Sequence, residues 1–511
     1  MNNDNLNIDN NLDKDNKTHL NKFWKFKFIF GILIFGFLAV LVKLFIVQVL
    51  NADKYKVLAR KQHEYRDSLN PERGKIYDRN GRLLASSYHS LSFAVDPKTM
   101  KNPETRAKLA SLFQKHIKFG RGNNSSKYIN SDSLEIIKKI NEAKGSFVWL
   151  ARAISPNDVD VLDTLKLPGF IVISEQKRNY LYGSTAAQII GCTDVDYVGV
   201  SGIEKSLDSV LKGKRGYSIS QKDARGNIKP ASDLPVIPAK NGASVKLTID
   251  VDLQRIAEFE LLQGVKSSGS ESGTVIAMDV TTGEILVMVS YPNYDPNYFE
   301  DRQENNMRNR AITDVYEPGS TFKIIIAAAA LETNIVSPDD FVEGYKGLFE
   351  YKDLKIVDEH PLGRVPFREA VIYSSNIVFS NLGNSLPNNV LYKYVRDFGF
   401  GLPLGIDLEG EVTGSVKKPE NFDGATKRFM GFGYGISVTP LQMLTSYAAI
   451  ANNGVLMKPY VIKEIVDDEN NIQFQNKPEK IRQVINEKTA KTLTELVTAV
   501  VEKGTGVNAR I

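Results

Sequence analysis

The sequence predicts an α+β protein in which one membrane helix precedes two globular domains. Three observations support this prediction. Residues 28–50 form one long apolar run, residues 51–241 alternate short strand-like and helical stretches, and a strand pair followed by long helical patterns begins near residue 242. A chain of 511 residues is long enough for about two to four domains of ordinary size.

The apolar run at residues 28–50 is the strongest compositional signal. As a helix it would be about 34 Å long, enough to cross a hydrocarbon core of about 30 Å. Its single charge, Lys43, lies near the far end, where its long side chain can reach the interface. A cleaved signal peptide and a buried helix are the alternatives. Because the run is longer than a usual signal segment and no small-residue cleavage site follows, we predict an uncleaved anchor.

The residues on either side of this run bear on how it is oriented in the membrane. Residues 1–27 begin with an Asn- and Asp-rich stretch, and we predict a disordered cytoplasmic tail there. Four lysines between residues 17 and 27 favour a cytoplasmic N-terminus, but four basic residues between 54 and 61 weaken the bias. With the N-terminus inside, everything after residue 50 lies outside the cytoplasmic membrane.

The composition excludes several kinds of site. Cys192 is the only cysteine, so neither an internal disulfide nor a cysteine zinc cluster is possible. The five histidines are scattered, and we predict neither a metal nor a cofactor. The net charge of +5 is small for this length and does not imply nucleic acid. Because histidine is scarce, lysine becomes the more interesting candidate for a catalytic base.

The pattern of predicted strands and helices changes near residue 242. VKLTIDVDLQ (245–254) predicts a strand that runs into a helix. GTVIAMDV (273–280) and EILVMVSY (284–291) predict two strands, and the TTG between them is a tight-hairpin signal. A long, mainly helical region with glycine-rich loops follows. The predicted globular domains are therefore residues 51–241 and 242–511.

The segment EPGSTFKIIIAAAALETN (317–334) predicts a turn followed by a central, buried helix. Ser320 falls at the N-terminus of that helix, and Lys323 follows three residues later on the same face. A serine hydroxyl needs a base to become a nucleophile, and a buried lysine kept neutral can serve. The alternative is that Ser320 is a plain N-cap. The S-x-x-K spacing is weak evidence because it also occurs at Ser174/Lys177, Ser209/Lys212 and Ser415/Lys418.

Two further segments carry polar residues or glycines in suggestive patterns. YSSNIVFS (373–380) contains Ser374 and Asn376, whose hydroxyl could relay a proton and whose amide could hold both the lysine and a substrate carbonyl. A helix cap or polar loop is the alternative, and the same S-x-N pattern occurs at Ser155–Asn157. In RFMGFGYGISVTPLQMLTSYAAIANNG (428–454), three glycines predict a loop close to other backbone, and Thr439-Pro440 predicts a helix start.

Together these segments resemble the class B, monofunctional penicillin-binding proteins, and the resemblance extends over most of the chain. It is carried by the order and spacing of several boxes: RGKIYDRNGRLLA (73–85), RNYLYGSTAAQIIG (178–191), GVSGIEKSLDSVLKG (199–213), LTIDVDLQ (247–254), NRAITDVYEPGSTFK (309–323) and FGYGISVTPLQML (432–444). The family implies a pedestal (dimerisation-type) domain at 51–241 and a penicillin-binding, β-lactamase-like transpeptidase domain at 242–511, with an antiparallel sheet and helices.

The resemblance also implies a chemistry. Ser320 would attack the D-Ala-D-Ala carbonyl of a peptidoglycan stem peptide, with Lys323 as its base. Ser374 would pass a proton to the leaving amine, and Asn376 would hold Lys323 and the substrate amide. β-Lactams would acylate Ser320. The form TD-x-x-EPGST resembles the cell-division transpeptidases, so a membrane glycan polymerase and division proteins are the implied partners.

One family motif is missing from the sequence. Family members carry K-[ST]-G on a strand that edges the active site, and the nearest string here, EKGTG (502–506), has the wrong order. We therefore expect a C-terminally truncated transpeptidase domain without its last strands, with little or no turnover. Other readings are a non-catalytic divisome scaffold, an elongation-type transpeptidase, a β-lactam sensor and a membrane-bound β-lactamase. No convincing deacylating glutamate for a β-lactamase is visible.

Overall fold

The computed structural model describes residues 9–116, 132–159, 162–222, 228–230, 236–352 and 354–510. These residues divide into two compact units. One contains the described residues up to Asn70 together with Arg215–Ala239, and the other contains Pro71–Lys214 together with the described residues from Lys240 onward.

Helices and strands alternate along the whole described chain, which confirms the predicted α+β class. The α-helices are α1 (Asp9–Phe45), α2 (Ala52–His63), α3 (Pro103–His116), α4 (Ser133–Glu142), α5 (Ala187–Ile190), α6 (Gly202–Ser206), α7 (Asp208–Leu211), α8 (Val251–Ser268), α9 (Glu304–Met307), α10 (Arg310–Thr313), α11 (Lys323–Glu332), α12 (Phe367–Ile372), α13 (Asn376–Ser385), α14 (Asn388–Asp397), α15 (Gly424–Gly431), α16 (Pro440–Ala451) and α17 (Glu487–Lys503).

The strands are mostly short. They are β1 (Glu64–Leu69), β2 (Ile76–Tyr77), β3 (Leu83–Val95), β4 (Val148–Ile154), β5 (Phe170–Tyr180), β6 (Gly216–Lys222), β7 (Ile228–Pro230), β8 (Val236–Ile237), β9 (Ser244–Leu247), β10 (Gly273–Met278), β11 (Ile285–Tyr291), β12 (Phe341–Glu343), β13 (Leu348–Tyr351), β14 (Leu354–Val357), β15 (Arg364–Pro366), β16 (Val455–Met457), β17 (Ile462–Val466), β18 (Ile472–Gln475) and β19 (Lys480–Gln483).

The first unit contains the apolar helix and a small antiparallel sheet. The span Trp24–Leu50 has a mean hydropathy of 2.8 and is long and apolar enough to cross a membrane, which fits the predicted anchor. Helix α1 begins at Asp9, so residues 9–27 are helical where the composition predicts a disordered tail. A helix already nucleated by the apolar run extends at little cost per residue. Residues 1–8 of the predicted tail lie outside the described residues.

The sheet of the first unit pairs two distant parts of the chain. Strand β6 is central, with β1, β7 and β8 antiparallel to it.

The second unit is built around a seven-stranded sheet. Its order is β18-β17-β9-β2-β3-β4, with β5 also paired to β3, and only the β2–β9 pair is parallel. Strand β9 pairs with β2 on one side and β17 on the other, just after the boundary predicted near residue 242. The sheet therefore continues from the predicted pedestal into the predicted second domain.

A buried ion cluster links three of the sequence boxes within the pedestal. The Arg73 guanidinium contacts Glu204 at 2.7 Å and Asp208 at 2.8 Å, and Arg178 contacts the other oxygen of Glu204 at 2.6 Å. The side chains of Arg73 and Glu204 are fully buried. Each buried charge has a partner of opposite sign, as burial requires.

The second domain opens as the sequence predicts. Asp250 caps helix α8 by accepting the N–H groups of Asp252 and Leu253. The strands β10 and β11 form an antiparallel hairpin, in which Gly283 has a φ of +87°. Asp279 holds the turn by accepting the N–H and hydroxyl groups of Thr281. Within the described residues these two strands form a sheet of their own.

Helix α11 is the centre of the second domain. Residues 323–330 are all buried, as predicted from an apolar run with no polar face. Helices α12, α13, α14, α16 and α17 contribute to the hydrophobic core that surrounds α11. The N-terminus of this helix is thereby fixed relative to the loops around it.

Candidate active site

Ser320 lies on a tight turn that leads directly into α11. A 3₁₀ turn covers Gly319–Phe322, and the α-helix begins at Lys323. The side chain of Ser320 is exposed, whereas Lys323 is buried with only 4% of its surface accessible. Neither Ser320 nor any other side chain caps the start of α11. The geometry therefore leaves the Ser320 hydroxyl outside the N-cap role that was its alternative.

The turn is held by the glycine-rich loop that follows α15. The Gly319 N–H donates to the Gly433 carbonyl at 3.0 Å, and the Tyr447 hydroxyl donates to the Thr321 carbonyl at 2.8 Å. Gly433 has a φ of +86°, and a Cβ at this position would lie 2.0 Å from the Gly319 oxygen. Only glycine fits there.

The other two glycines of the loop differ from each other. A Cβ at Gly431 would lie 2.3 Å from the Phe379 oxygen, so the predicted close approach to backbone is confirmed at 431 and 433. Gly435 has no atom that near, but its φ of +71° favours glycine. Thr439 and Gln442 form a capping box with Pro440 at the first position of α16, as predicted.

Two of the predicted site residues, Ser374 and Asn376, contact the amine of a third, Lys323. Its Nζ donates to the Ser374 carbonyl at 2.6 Å, to the Ser374 hydroxyl at 2.9 Å and to Asn376 Oδ1 at 2.8 Å. An ammonium has three N–H donors, and these contacts use all three. In the described part of the chain the Ser320 hydroxyl makes no hydrogen bond to Lys323, which is common for catalytic pairs before substrate binds.

The environment of Lys323 lowers the pH at which its amine loses a proton. Burial lowers the pKa of Lys323 to about 8, because the charged form loses its hydration, while the nearby Asp358 carboxylate acts in the opposite direction. The Phe379 ring centroid lies 5.7 Å from Nζ and adds a weak cation–π contact.

The loop that carries Ser374 has a strained backbone and is held by hydrogen bonds to Asp358. Ser374 has a φ of +54°, which is unusual for a residue other than glycine and is found most often at functional sites. The next residue, Ser375, donates its hydroxyl to Asp358 Oδ2 at 2.6 Å, and the Ile377 N–H donates to Asp358 Oδ1 at 2.9 Å. Asp358 therefore fixes both sides of Asn376.

Sequence analysis did not identify Asp358. It is buried, with 5% of its surface accessible, and it lies in the segment KIVDEH, about 16 residues before the serines that it holds. A single aspartate after a strand gives no spacing signal, and only the folded β13–β14 hairpin brings it to this loop.

The site opens into a cleft with aromatic and charged walls. Ser320 and Asn376 line this cleft. The rings of Phe429, Phe432 and Tyr434 form one continuous wall, with centroid distances of 5.7 and 5.5 Å. The charged lining residues are Glu317, Lys417 and Asp423. Such a cleft suits an elongated ligand with both apolar and charged parts.

The remaining S-x-x-K pairs lie in other surroundings. Ser174 is exposed on strand β5, Ser209 is exposed on helix α7, and Ser415 pairs through its backbone with Ser437. Ser155 caps a short 3₁₀ turn at Pro156–Asp158, so this S-x-N match has the structural capping role that was the alternative for Ser374 and Asn376.

Comparison with known proteins decides the family. The penicillin binding protein transpeptidase domain matches residues 273–511, and the penicillin-binding protein dimerisation domain matches residues 68–247. Stage V sporulation protein D of Bacillus subtilis is 33% identical over 494 residues, which are 95% of this chain and 73% of the relative. The chain belongs to the class B penicillin-binding proteins.

Other class B penicillin-binding proteins resemble the chain to a similar degree. Peptidoglycan D,D-transpeptidase FtsI of Escherichia coli is 30% identical over 84% of this chain and 71% of its own length. PbpB of Mycobacterium tuberculosis is 30% identical over 92% of this chain and 71% of its own length. The resemblance read from the sequence boxes is thus confirmed, and the chain is a member of a family of peptidoglycan D,D-transpeptidases.

Solved structures of the family share this fold. Penicillin-binding protein 3 of Mycobacterium tuberculosis in complex with aztreonam aligns with a TM-score of 0.63 and 25% identity, covering 87% of this chain and 80% of that one. Penicillin-binding protein 2X of Streptococcus thermophilus aligns with a TM-score of 0.65 at 23% identity, covering 85% of this chain and 66% of that one. The predicted order of pedestal and transpeptidase domain agrees with the order of the two family matches.

Proposed function

We propose that this chain is a serine D,D-transpeptidase that cross-links peptidoglycan stem peptides through an acyl-enzyme on Ser320. The observation that carries the proposal is the convergence of Ser374 and Asn376 on the buried Lys323 amine, one helical turn from the exposed Ser320. This arrangement contains a nucleophile, a base of lowered pKa and groups that orient the base, as acyl transfer requires.

The three partners of the amine support distinct roles. The Ser374 carbonyl and Asn376 Oδ1 can only accept hydrogen bonds, so they hold the two N–H groups of a neutral Lys323 amine. The Ser374 hydroxyl can also donate, so the nitrogen lone pair is left facing this hydroxyl and the cleft. Lys323 can then take the proton of Ser320, and Ser374 can carry a proton to the leaving group.

The reaction follows in two steps. Ser320 Oγ attacks the carbonyl between the two terminal D-alanines, its proton passes to Lys323, and the D-alanine amine leaves with a proton delivered through Ser374. The amine of a second stem peptide then attacks the ester and loses its proton to the same pair, which restores the Ser320 hydroxyl and forms the cross-link. With a β-lactam, Ser320 would attack the lactam carbonyl in the same way, and the reaction would stop at the ester.

The location of the activity follows from the anchor. We propose that the span Trp24–Leu50 holds the chain in the bacterial inner membrane with its N-terminus in the cytoplasm, so that the cleft meets its substrate outside. The TD-x-x-EPGST form, which resembles that of the cell-division transpeptidases, supports a role in septal wall synthesis. A membrane glycan polymerase and division proteins are the partners that such a role needs.

We propose that a protein of these 511 residues alone cross-links stem peptides slowly or not at all. The sequence contains no Lys-Ser/Thr-Gly, the motif that binds the substrate carboxylate in this family. The family resemblance also implies that a backbone N–H just beyond this motif forms half of the oxyanion hole, and loss of one oxyanion donor alone costs about 10²–10³ in rate. Robust cross-linking of stem peptides by a protein of these 511 residues would contradict this part of the proposal.

Labelling with a fluorescent penicillin tests the nucleophile. The detergent-solubilised chain, Ser320→Ala and the matched control Ser209→Ala are incubated with the label and read by intact mass. The control serine belongs to another S-x-x-K pair and is exposed. We expect one covalent adduct on the parent and on the control, and none on Ser320→Ala. An adduct that persists in Ser320→Ala would overturn the assignment.

A further inference from the structure

Arg428 on helix α15 is a buried cation whose contacts include no carboxylate. Only 7% of its surface is accessible. Among the described residues, its Nη1 donates to the Asn381 amide oxygen at 2.6 Å, and its Nε is buried without a hydrogen-bond partner. Because burial of a charge is costly unless other groups compensate for the lost water, a further contact must stabilise this guanidinium.

Two aromatic rings of strand β13 supply that contact. The Arg428 guanidinium carbon lies 4.3 Å from the ring centroid of Tyr351 and 5.4 Å from that of Phe349. The two rings lie on the same face of β13, because side chains two residues apart in a strand point the same way. Cation–π contacts are strongest where the cation has lost its water, as it has here. Arg428 therefore holds the β13–β14 hairpin against α15.

The same arginine connects the hairpin to helix α13. Asn381, which accepts the Arg428 N–H, lies on α13, and this helix begins at the site residue Asn376. Helices α13 and α15 pack so closely that a Cβ at Gly383 would lie 2.6 Å from the Lys427 oxygen. Arg428 thus projects from a tightly packed pair of helices, one of which carries Asn376, onto the rings of the hairpin.

The hairpin carries two groups that reach the active site. Strand β14 ends at Val357, whose carbonyl accepts Asn376 Nδ2 at 2.9 Å. Asp358 follows directly and accepts hydrogen bonds from the residues on both sides of Asn376. Asp358 is also the charged group that acts on Lys323, since the hydrogen-bond partners of that amine, on Ser374 and Asn376, are uncharged. The position of the hairpin therefore sets both the orientation of the Asn376 amide and the distance of a carboxylate from the base.

We propose that Arg428 is a positioning residue of the active site, which holds the β13–β14 hairpin so that Val357 and Asp358 stay in contact with the loop at 374–377. Each strand of the hairpin has four residues, and within the described residues the two strands form a sheet of their own. A two-stranded hairpin alone is marginally stable, so it depends on contacts such as that with Arg428. The inference rests on the proposed acyl transfer at Ser320.

The pH dependence of acylation by a fluorescent penicillin tests the proposal on the detergent-solubilised full chain. Arg428→Met should lower the maximal rate by about 10- to 100-fold, because the displaced hairpin no longer orients the groups around the base. Its midpoint should move to lower pH, as for Asp358→Asn, because a displaced Asp358 stabilises the charged Lys323 less. The double variant should shift no further than Asp358→Asn alone. The control Arg364→Met removes an exposed guanidinium that also faces a ring, at 5.5 Å, and should leave rate and midpoint unchanged.

Variants of Tyr351 test the same contact from the hairpin side if Arg428→Met does not fold. Tyr351→Leu should move the midpoint in the same direction, whereas Tyr351→Phe keeps the ring and should match the parent. A merely structural role would lower Tm and the rate without moving the midpoint. If the parent is labelled at Ser320 and Tyr351→Leu keeps the midpoint of the parent, the positioning role of Arg428 is overturned. A parent that takes no label at Ser320 would contradict the proposed function, and this inference with it.

Discussion

The Lys323 amine and the Ser374 hydroxyl lie 2.9 Å apart, and among the described residues this hydroxyl is the only group bonded to the amine that can also donate a proton. The other two contacts go to oxygen atoms that only accept. Ser374, whose backbone has the unusual φ of +54°, presents both its carbonyl and its hydroxyl to the same amine.

Replacing Ser374 by alanine should slow acylation without removing the nucleophile. The variant loses the proton relay but keeps the Ser374 carbonyl contact and Asn376. We expect the second-order rate constant for acylation by a fluorescent penicillin to fall by about 10²–10⁴. Ser385→Ala is the matched control, because within the described residues that hydroxyl bonds only to the Leu382 carbonyl of its own helix. Similar rates in the two variants would exclude Ser374 as a relay.

Acylation should depend on pH through Lys323. Because its pKa is lowered to about 8 and the neutral amine is the base, the rate should rise with pH and level off above about 8. The same shift affects stability in a defined window. A lysine with a folded pKa below its unfolded value destabilises the fold below pH 8, and this cost disappears between pH 8 and 10.5. Acylation rates from pH 6 to 10 check the first expectation, and a flat profile would contradict it.

Replacing Asp358 by asparagine should move that profile. The Asp358 charge raises the pKa of Lys323 against the effect of burial, so its removal should shift the midpoint to lower pH. It also weakens the bonds that position Ser375 and Ile377, which should lower the maximal rate. A purely structural role would reduce the rate without moving the midpoint. Asp339→Asn, an exposed carboxylate paired with Arg368, is the control and should leave both unchanged.

The local patterns of the sequence predicted much of this architecture. Helix α11 is recognisable because an apolar run without a polar face must be buried, and Thr439-Pro440 because a capping residue before proline starts a helix. The glycines at 431 and 433 indicate close backbone contact, although the sequence does not identify the partner chain segments. Ser320 and Lys323 stood out only through this context, since their spacing occurs elsewhere in the chain.

The features that sequence reasoning missed depend on contacts between distant segments. Asp358 reaches the Ser374 loop only after the β13–β14 hairpin has formed, and no local spacing marks it. Strand β9 joins β2 and β17 from opposite ends of the chain, so a change in texture near residue 242 could not reveal a continuous sheet. The helical start at Asp9 follows from propagation out of the apolar span, which composition alone does not predict.

The buried ion cluster should be essential for the pedestal. Glu204→Gln would leave the guanidinium groups of Arg73 and Arg178 without their shared carboxylate, and we expect a loss of about 3–5 kcal/mol in the free energy of unfolding. Glu409→Gln removes the partner of Lys205 in an exposed pair and should cost less than about 1 kcal/mol. Denaturant unfolding of the solubilised proteins measures both. Equal losses of stability in the two variants would show that the buried pairs of Glu204 stabilise the pedestal no more than an exposed pair does.

Two glycines of the same loop provide a sharp test of how the Ser320 turn is held. Gly433→Ala places a Cβ 2.0 Å from the Gly319 oxygen, so the loop and the turn must separate, and we expect penicillin labelling of Ser320 to be lost. Gly435→Ala has the same left-handed backbone, but its added Cβ would meet no heavy atom within 4 Å beyond its chain neighbours, so it should cost only about 1–2 kcal/mol and keep labelling. Because both substitutions add one methyl group at a positive φ, the difference between them isolates the contact with Gly319. Labelling that survives equally in both would mean that the turn keeps its shape without this contact.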